Sequence, residues 1–216
     1  MTSFFHTYDL RGKFPDEIGE EEARKVGKAF GTFIEAEKVL VGRDGREHGE
    51  KIMDAFVQGL TSTGTDALVS GIVPTPVIKF GQYEKDLEAS AIVTASHNPP
   101  EYTGFKFCKE NTLSMSREGG MAKIEEIYEN EEFEMGNGSI TEVELIEDYI
   151  DELQSIFGSL DLDVAINCGN GVTGVLAEDL FESLGSYVNL INGEVDGSFP
   201  NHLPDPTNEE AQKALE

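Results

Sequence analysis

The sequence predicts an α/β fold, a mixed and mostly parallel sheet sandwiched by helices, followed by a second α/β unit. Two observations carry that expectation. Short apolar, β-branched runs alternate with amphipathic stretches of about a dozen residues, and such alternation builds parallel strands joined by crossover helices on both faces. The composition agrees: 216 residues with 38% apolar content can bury a core and hold one domain or two.

Taken in order, EEARKVGKAFGTFI sets Ala23, Val26, Phe30, Phe33 and Ile34 on one helical face. KVLVGRDGR follows as a short strand ending in a glycine turn. GEKIMDAFVQGLTSTG repeats the helical spacing through Ile52, Ala55, Phe56 and Leu60, and Gly64 stops it before the strand DALVSGIV. TPVIKFGQYEKD is the next helix, with Pro76 admissible in its first turn. ASAIV is the strand that leads into Thr94, and beyond GFKFC comes the helix-like SREGGMAKIEEIYEN. The acidic, glycine-containing EEFEMGNGSITEVEL divides a first domain, residues 1–140, from a second, residues 141–216. That second unit reads as helix LIEDYIDELQSIF, strand DLDVAIN, turn CGNGVTG, helix VLAEDLFESLG and strand YVNLIN, with no evident repeat of the first.

Asp and Glu total 42 against 16 Lys plus Arg, a formal net charge of −26. That sign disfavours nucleic acid and anionic membranes as partners. The acids are spread along the chain, as in EIGEEEAR and EEIYENEEFE. Such spreading suggests a halophilic surface adapted to high cytoplasmic salt, where screening shortens repulsion to a few ångströms; an ordinary acidic surface is the alternative. The apolar runs fall far short of the roughly 20 residues a membrane span needs, and the start MTSFFHTYDLRG lacks the pattern of a secretory signal. The expected location is therefore the cytoplasm. Cys108 and Cys168 form no CxxC or Cys/His pattern, so neither a disulfide framework nor a zinc site is indicated.

Against this acidity the cations stand out. Of only five arginines, Arg11 lies in YDLRGK and Arg43 and Arg46 lie in VGRDGR, both glycine-bearing loops, while Lys106 and Lys109 follow the SHNPP segment. Loops at strand C-terminal ends that present Arg and backbone N–H groups bind phosphate in open α/β sheets. A local salt-bridged turn of Arg43, Asp44 and Arg46 is the alternative. In NCGNGVTG the glycines resemble an anion-binding helix start, but a strand-to-helix turn needs glycine anyway, and the structural reading is favoured.

Ser96 and His97 sit at the end of a buried strand, in AIVTASHNPPEYTGFK. Ser96 is outside any G-x-S-x-G elbow, and neighbouring side chains on an extended strand end point to opposite sides, which disfavours a Ser-His hydrolase. A phosphorylated serine fits better. Pro99 and Pro100 stiffen the loop, Asn98 can accept a positive φ, and Lys106 supplies a cation for a phosphoryl group. An Asn-Pro turn without chemistry is the competing reading.

TASHNPPEYTGFK also resembles the phosphoserine loop of the α-D-phosphohexomutase superfamily, which includes the phosphomannomutase/phosphoglucomutases and phosphoglucosamine mutases. YDLRG, VGRDGR, GIVPTPV, NCGNGVTG and FPNHLPDP occur in the order expected for that family's first domain and the start of its second. The resemblance implies an isomerase that works by phosphotransfer. Ser96 would be the phosphoserine that passes its phosphoryl group to a hexose phosphate; the bisphosphorylated sugar reorients and returns the other group, which moves phosphate between C6 and C1. It further implies Lys106 as general base, Tyr8 and Arg11 on the phosphate side of the pocket, and His97 and Asn98 holding the serine loop. Mg²⁺, met by the Ser96 phosphate, and a hexose 1,6-bisphosphate activator are the implied cofactors.

The family's Asp-Gly-Asp-Gly-Asp-Arg metal loop would follow FPNHLPDP and does not occur in the sequence. The resemblance therefore casts residues 141–216 as an incomplete second α/β domain that ends before the metal-binding loop, with exposed sheet edge and apolar surface. Three expectations follow: the N-terminal part of a phosphohexomutase, one half of a split enzyme completed by a C-terminal polypeptide, or a non-catalytic phosphosugar-binding module. Mannose, glucose and glucosamine phosphates all remain open as substrates.

Overall fold

Alternation along the strands builds a sheet with two apolar faces. The computed structural model describes residues 4–215. Strands β1 (Leu10–Lys13), β2 (Lys38–Arg43), β3 (Asp66–Ile72), β4 (Ala89–Val93), β5 (Tyr102–Lys109), β6 (Leu113–Ser114) and β7 (Ile140–Glu142) form a seven-stranded sheet in the order β1-β5-β4-β2-β3-β7, with β6 paired to β5. The four strands β4, β2, β3 and β7 run parallel, whereas β5 is antiparallel to both β4 and β1.

Period-two geometry sends Val39 and Val41 of β2 to one face, where they join the cluster under helices α1 (Glu20–Ile34), α2 (Gly49–Thr61) and α4 (Ala122–Asn130). Leu40, between them, joins the opposite cluster with Val77 and Ile78 of α3 (Thr75–Glu84). Aromatic rings fill the first face: Phe30 of α1 stacks on Phe107 of β5 with centroids 4.2 Å apart. Helix α1 starts where the Glu22 carboxylate accepts the Gly19 N–H at 3.0 Å, and Glu20 to Glu22 complement its N-terminal dipole.

The second unit contains α5 (Ile146–Phe157), β8 (Asp163–Asn167), α6 (Ala177–Ser183), β9 (Tyr187–Ile191) and α7 (Glu209–Lys213). Its strands pair parallel with each other, in a sheet separate from the first. Tyr149 and Ile150 of α5 pack with the cluster that holds Val77 and Ile78, and Leu176 and Leu180 reach the same cluster from the α6 side. Phe157, Leu160, Leu162 and Tyr187 are exposed.

The α/β class and the alternation of strand and helix agree with expectation, and four details differ. The sequence reading gave no strand at Leu10–Lys13, and that strand is paired along its whole length with β5, with Arg11 opposite Gly104. The stretch read as a boundary contains β7, whose three residues are all exposed and thus carry no alternation; pairing with β3 alone makes it a strand. SREGG forms a π-helical turn at Arg117–Met121 rather than the first turn of α4. VLAEDLFESLG becomes helical only from Ala177, after a 3₁₀ turn at Val172–Val175.

Candidate active site

Strand β4 delivers its chain to the C-terminal edge of the parallel sheet, and the Ser96 loop begins there. Thr94 and Ala95 are buried, whereas Ser96 and His97 emerge into solvent. Ser96 has φ of 57°, a left-handed conformation. The sequence reading offered Asn98 as a residue able to accept a positive φ; the structure puts that conformation on the serine itself. This corrects a second expectation. Because the backbone at Ser96 is not extended, the two neighbouring side chains do not diverge, and Ser96 Oγ lies 3.4 Å from His97 Nδ1. Among the described residues no carboxylate accepts a hydrogen bond from His97, so the pair is not completed into a hydrolytic triad.

Beneath the loop lies Arg46, 1% exposed. Its Nε donates to Asp44 Oδ2 at 3.1 Å, Nη1 to the carbonyls of Pro99 (2.6 Å) and Tyr102 (3.1 Å), and Nη2 to those of Ser96 (3.1 Å) and Asn98 (2.8 Å). All five N–H donors of the guanidinium are thereby used. Asp44 also accepts from the Thr94 hydroxyl at 2.7 Å, and Thr94 Oγ1 accepts the Ser96 N–H at 2.9 Å. Burial lowers the Arg46 pKa from its ordinary value and Asp44 opposes that shift. Arg46 therefore shapes the loop from behind and does not present charge to a ligand. Of the two readings of VGRDGR, the local salt bridge holds for Asp44 and Arg46, extended into the serine loop.

Arg43 turns the other way, with Nη1 on the Asp44 carbonyl at 3.2 Å and Nη2 4.0 Å from Glu50. His48 closes the base of the loop: Nε2 donates to the Tyr102 carbonyl at 3.1 Å and the ring stacks on Phe14 with centroids 4.6 Å apart. Burial depresses its pKa, with the neighbouring Arg46 charge acting in the same direction.

The remaining expected site residues flank the loop on the β1 side. Arg11 donates through Nε (2.9 Å) and Nη2 (2.7 Å) to Asp9 Oδ2, and through Nη1 to Asn98 Oδ1 at 2.7 Å. The antiparallel pairing of β1 with β5 carries this cation to the serine loop from a position 87 residues away in sequence. Lys106, on β5, has Nζ 3.9 Å from the same Asp9 oxygen. Tyr8 is 66% exposed. Asp9 thus joins Arg11 to Lys106 and Arg11 carries the link on to Asn98, while Ser96 and His97 stand on the cleft side of the same loop.

That cleft, of ≈ 460 Å³, has Asp44, Thr94, Ser96 and His97 on one wall and Asn167, Cys168, Phe199 and His202 of the second unit on the other. Asn167, at the end of β8, knots this second wall. Its Nδ2 donates to His202 Nε2 (3.0 Å) and the Ala211 carbonyl (2.9 Å), while its Oδ1 accepts from Gly169 N (3.0 Å) and Asn192 Nδ2 (3.1 Å). NCGNGVTG is accordingly a tied strand-to-turn connection, the structural reading of its glycines. Phe199, His202, Pro204 and Pro206 of FPNHLPDP line the cleft opposite Ser96 and His97, and the Thr207 hydroxyl and amide lower the pKa of Asp205. Burial raises the pKa of the Cys168 thiol. Among the described residues no group of three or more His, Cys, Asp or Glu is arranged to hold a metal ion.

Asp9, Thr94, Asn167 and Phe199 were not named as site residues by sequence reasoning, and Asp44 entered only through the salt-bridged alternative for VGRDGR. The paired cations in a glycine turn were a signal for Arg46, but nothing local distinguishes an arginine that binds carbonyls from one that binds phosphate.

Comparison with known proteins gives a consistent result. Residues 2–135 match the family model described as phosphoglucomutase/phosphomannomutase, α/β/α domain I, and residues 147–216 match α/β/α domain II. A phosphomannomutase/phosphoglucomutase of Pseudomonas aeruginosa is 36% identical over 99% of this chain and 46% of its own length. A phosphoglucomutase/phosphomannomutase of Thermococcus kodakarensis is 34% identical over 100% of this chain and 50% of its own. The crystal structure of a phosphoglucomutase/phosphomannomutase family protein from Burkholderia thailandensis superposes with a TM-score of 0.92 at 31% identity, covering 99% of this chain and 49% of that one. The chain therefore spans about half the length of the curated relatives it matches.

Proposed function

Because this chain belongs to the phosphoglucomutase/phosphomannomutase family, we propose that it carries the phosphoserine of a phosphohexomutase that interconverts hexose 6-phosphate and hexose 1-phosphate. The observation that carries this reading is Ser96: an exposed hydroxyl on a left-handed turn at the edge of the parallel sheet, in a loop whose carbonyls are gathered by one buried guanidinium. A phosphoryl carrier needs an accessible oxygen held in one orientation. In the transfer, the bond from phosphorus to Ser96 Oγ breaks as a bond to a sugar hydroxyl forms. The phosphoserine is regenerated when the other phosphoryl group of the bisphosphorylated sugar passes back: its bond to the sugar oxygen breaks as a bond to Ser96 Oγ forms, and the sugar oxygen regains a proton.

In this reading Lys106 takes the proton of the attacking hydroxyl. Arg11 and Tyr8 bound the phosphate side, His97 stays within reach of Oγ, and Asn98 couples the loop to Arg11. The family generally depends on Mg²⁺, which supplies charge neutralisation at the transferring phosphoryl group. Ser96 is the contact this chain offers it. Asp44, the carboxylate nearest in the network, is already committed to Thr94 and Arg46, so the chain's described residues do not by themselves fit a metal site and no step is assigned to one. Residues 1–140 and 141–216 form the two units of the proposal, with β7 at their junction. The substrate is a mannose, glucose or glucosamine phosphate, with a hexose 1,6-bisphosphate as activator and a complementing C-terminal polypeptide as partner. A cytoplasmic setting belongs to the same reading, and the acids spread along a chain of charge −26 support a high-salt one; no helix among the described residues is long and apolar enough to cross a membrane.

Intact-mass measurement tests the reading. After incubation with glucose 1,6-bisphosphate and Mg²⁺, with and without a polypeptide covering the remaining length of the relatives, the chain should gain one phosphoryl group that Ser96→Ala cannot accept. A complemented sample that never gains it, or gains it equally in Ser96→Ala, defeats the assignment.

A further inference from the structure

Where the second unit meets the turn after β2, the contact between the two walls of the cleft is unusual on both sides. The turn at residues 195–199 of the second unit lies on the turn between β2 and α2 of the first. A side chain at Gly197 would run into the backbone of Gly45 and Glu47, and one at Gly45 would meet Val195. This close approach seats the Phe199 ring over the Arg46 guanidinium, 5.3 Å from centroid to Cζ. Phe199 has φ of 51°. A bulky residue in the left-handed region is rare and is held there by its surroundings. Here the surroundings are explicit: Phe199 N donates to the Asp196 carbonyl at 3.0 Å, Ser198 N and Oγ donate to Asp196 Oδ1 at 2.9 and 2.7 Å, and Asp196 N donates to the Asn170 carbonyl at 2.9 Å. The turn is thus anchored to the second unit while its ring rests on the first.

We propose that Phe199 is a positioning residue for the Ser96 loop, acting through Arg46. The guanidinium is planar, and its in-plane donors reach the carbonyls of Ser96, Asn98, Pro99 and Tyr102. A ring whose centroid lies 5.3 Å from Cζ restrains the guanidinium without competing for any donor. The orientation of Ser96 Oγ then depends on the docking of the second unit, though Phe199 makes no bond to the loop. The inference deepens the phosphoserine reading and rests on it for its catalytic meaning, but its structural content can be measured separately.

The test compares wild type with Phe199→Leu, which keeps apolar volume without a π face, and Phe199→Tyr, which keeps the ring. Hydrogen exchange is followed at the Ser96, Asn98 and Tyr102 amides, with β2 and β4 as controls for overall folding. Phe199→Leu should speed exchange at the three loop amides about tenfold, with the controls unchanged and Phe199→Tyr matching wild type. Unchanged loop exchange in Phe199→Leu overturns the inference. So does failure of Phe199→Tyr to restore it, or loss of protection centred on β8 and β9, which would make Phe199 a prop of the second unit alone. The rate of phosphoryl uptake from glucose 1,6-bisphosphate with Mg²⁺ gives the catalytic arm. Phe199→Leu should lower the maximal rate about tenfold with the half-saturating concentration unchanged, whereas a changed half-saturation with an unchanged rate would put Phe199 on the substrate and overturn a positioning role. If the wild-type chain takes up no phosphoryl group in the complemented sample, the phosphoserine reading falls, and the exchange data still decide whether Phe199 positions the loop.

Discussion

Two side chains, one buried beneath the serine loop and one on the facing wall of the cleft, use every hydrogen-bonding position they possess, the first charged and the second neutral. Arg46 directs five N–H groups at a carboxylate and four carbonyls. Asn167 balances two donated against two accepted bonds. The charged knot lies 1% exposed under a loop offered to solvent, while the neutral knot lies in a half-buried wall. A buried charge tolerates no lost partner, because the desolvated ion has nothing else to bind. A neutral amide that loses a partner in a half-exposed site can find water. The serine loop is thus built to have one arrangement, and the second wall is built to yield locally.

The widest test of this contrast is Arg46→Met. Four carbonyls and Asp44 lose their common donor, so stability should fall by about 3–5 kcal/mol in urea unfolding. A loss below 1 kcal/mol would mean that the carbonyls find other donors and that the loop is not singly anchored. Asn167→Ala should cost about 1–2 kcal/mol, with exchange rising in β8 and at Ala211 but not in β4. Equal exchange gains in both sheets would dissolve the distinction between the two knots.

Salt separates surface from interior. With a charge of −26, the wild-type chain should gain melting temperature between low and molar salt, by roughly 2–4 °C for each ~1 kcal/mol of relieved repulsion. The Arg46→Met deficit should stay the same across that range, because a buried pair is screened little. A flat melting temperature in the wild type would remove the case for a salt-adapted surface.

The smallest effect is expected from His48. Its folded pKa lies below its unfolded value of about 6.5, so the unfolded state takes up the proton first as pH falls. The stability conferred by the neutral ring is fully present above about pH 6.5 and is lost progressively as pH drops toward the folded pKa. His48→Gln should flatten the melting-temperature profile between pH 7 and 5.5; a profile parallel to wild type would show that His48 does not sense this range.

Much of the first unit was legible because its signals are periodic. Val39, Leu40 and Val41 divide between two buried faces, and the α1 and α2 faces follow helical spacing. Strand β1 was missed because its meaning lies in pairing with β5, more than ninety residues on, as the Arg11↔Gly104 register shows. The serine loop could be located from its prolines and cations, yet its conformation could not. The positive φ at Ser96 is held by the local bond to Thr94 and by Arg46, which approaches from the turn after β2. Phe199 and Asn167 were hidden for the same reason: a motif shows residue types, and the contact that gives them work is tertiary.

The left-handed turn at Ser96 also bears on which amino acid can serve there. Threonine would present the same oxygen, but its second Cβ substituent crowds the backbone at positive φ. The fold thereby separates two alcohols that a solution nucleophile scale would treat as near equals. In the proposed carrier role, selection of serine over threonine becomes a matter of main-chain stereochemistry, settled before any phosphate arrives.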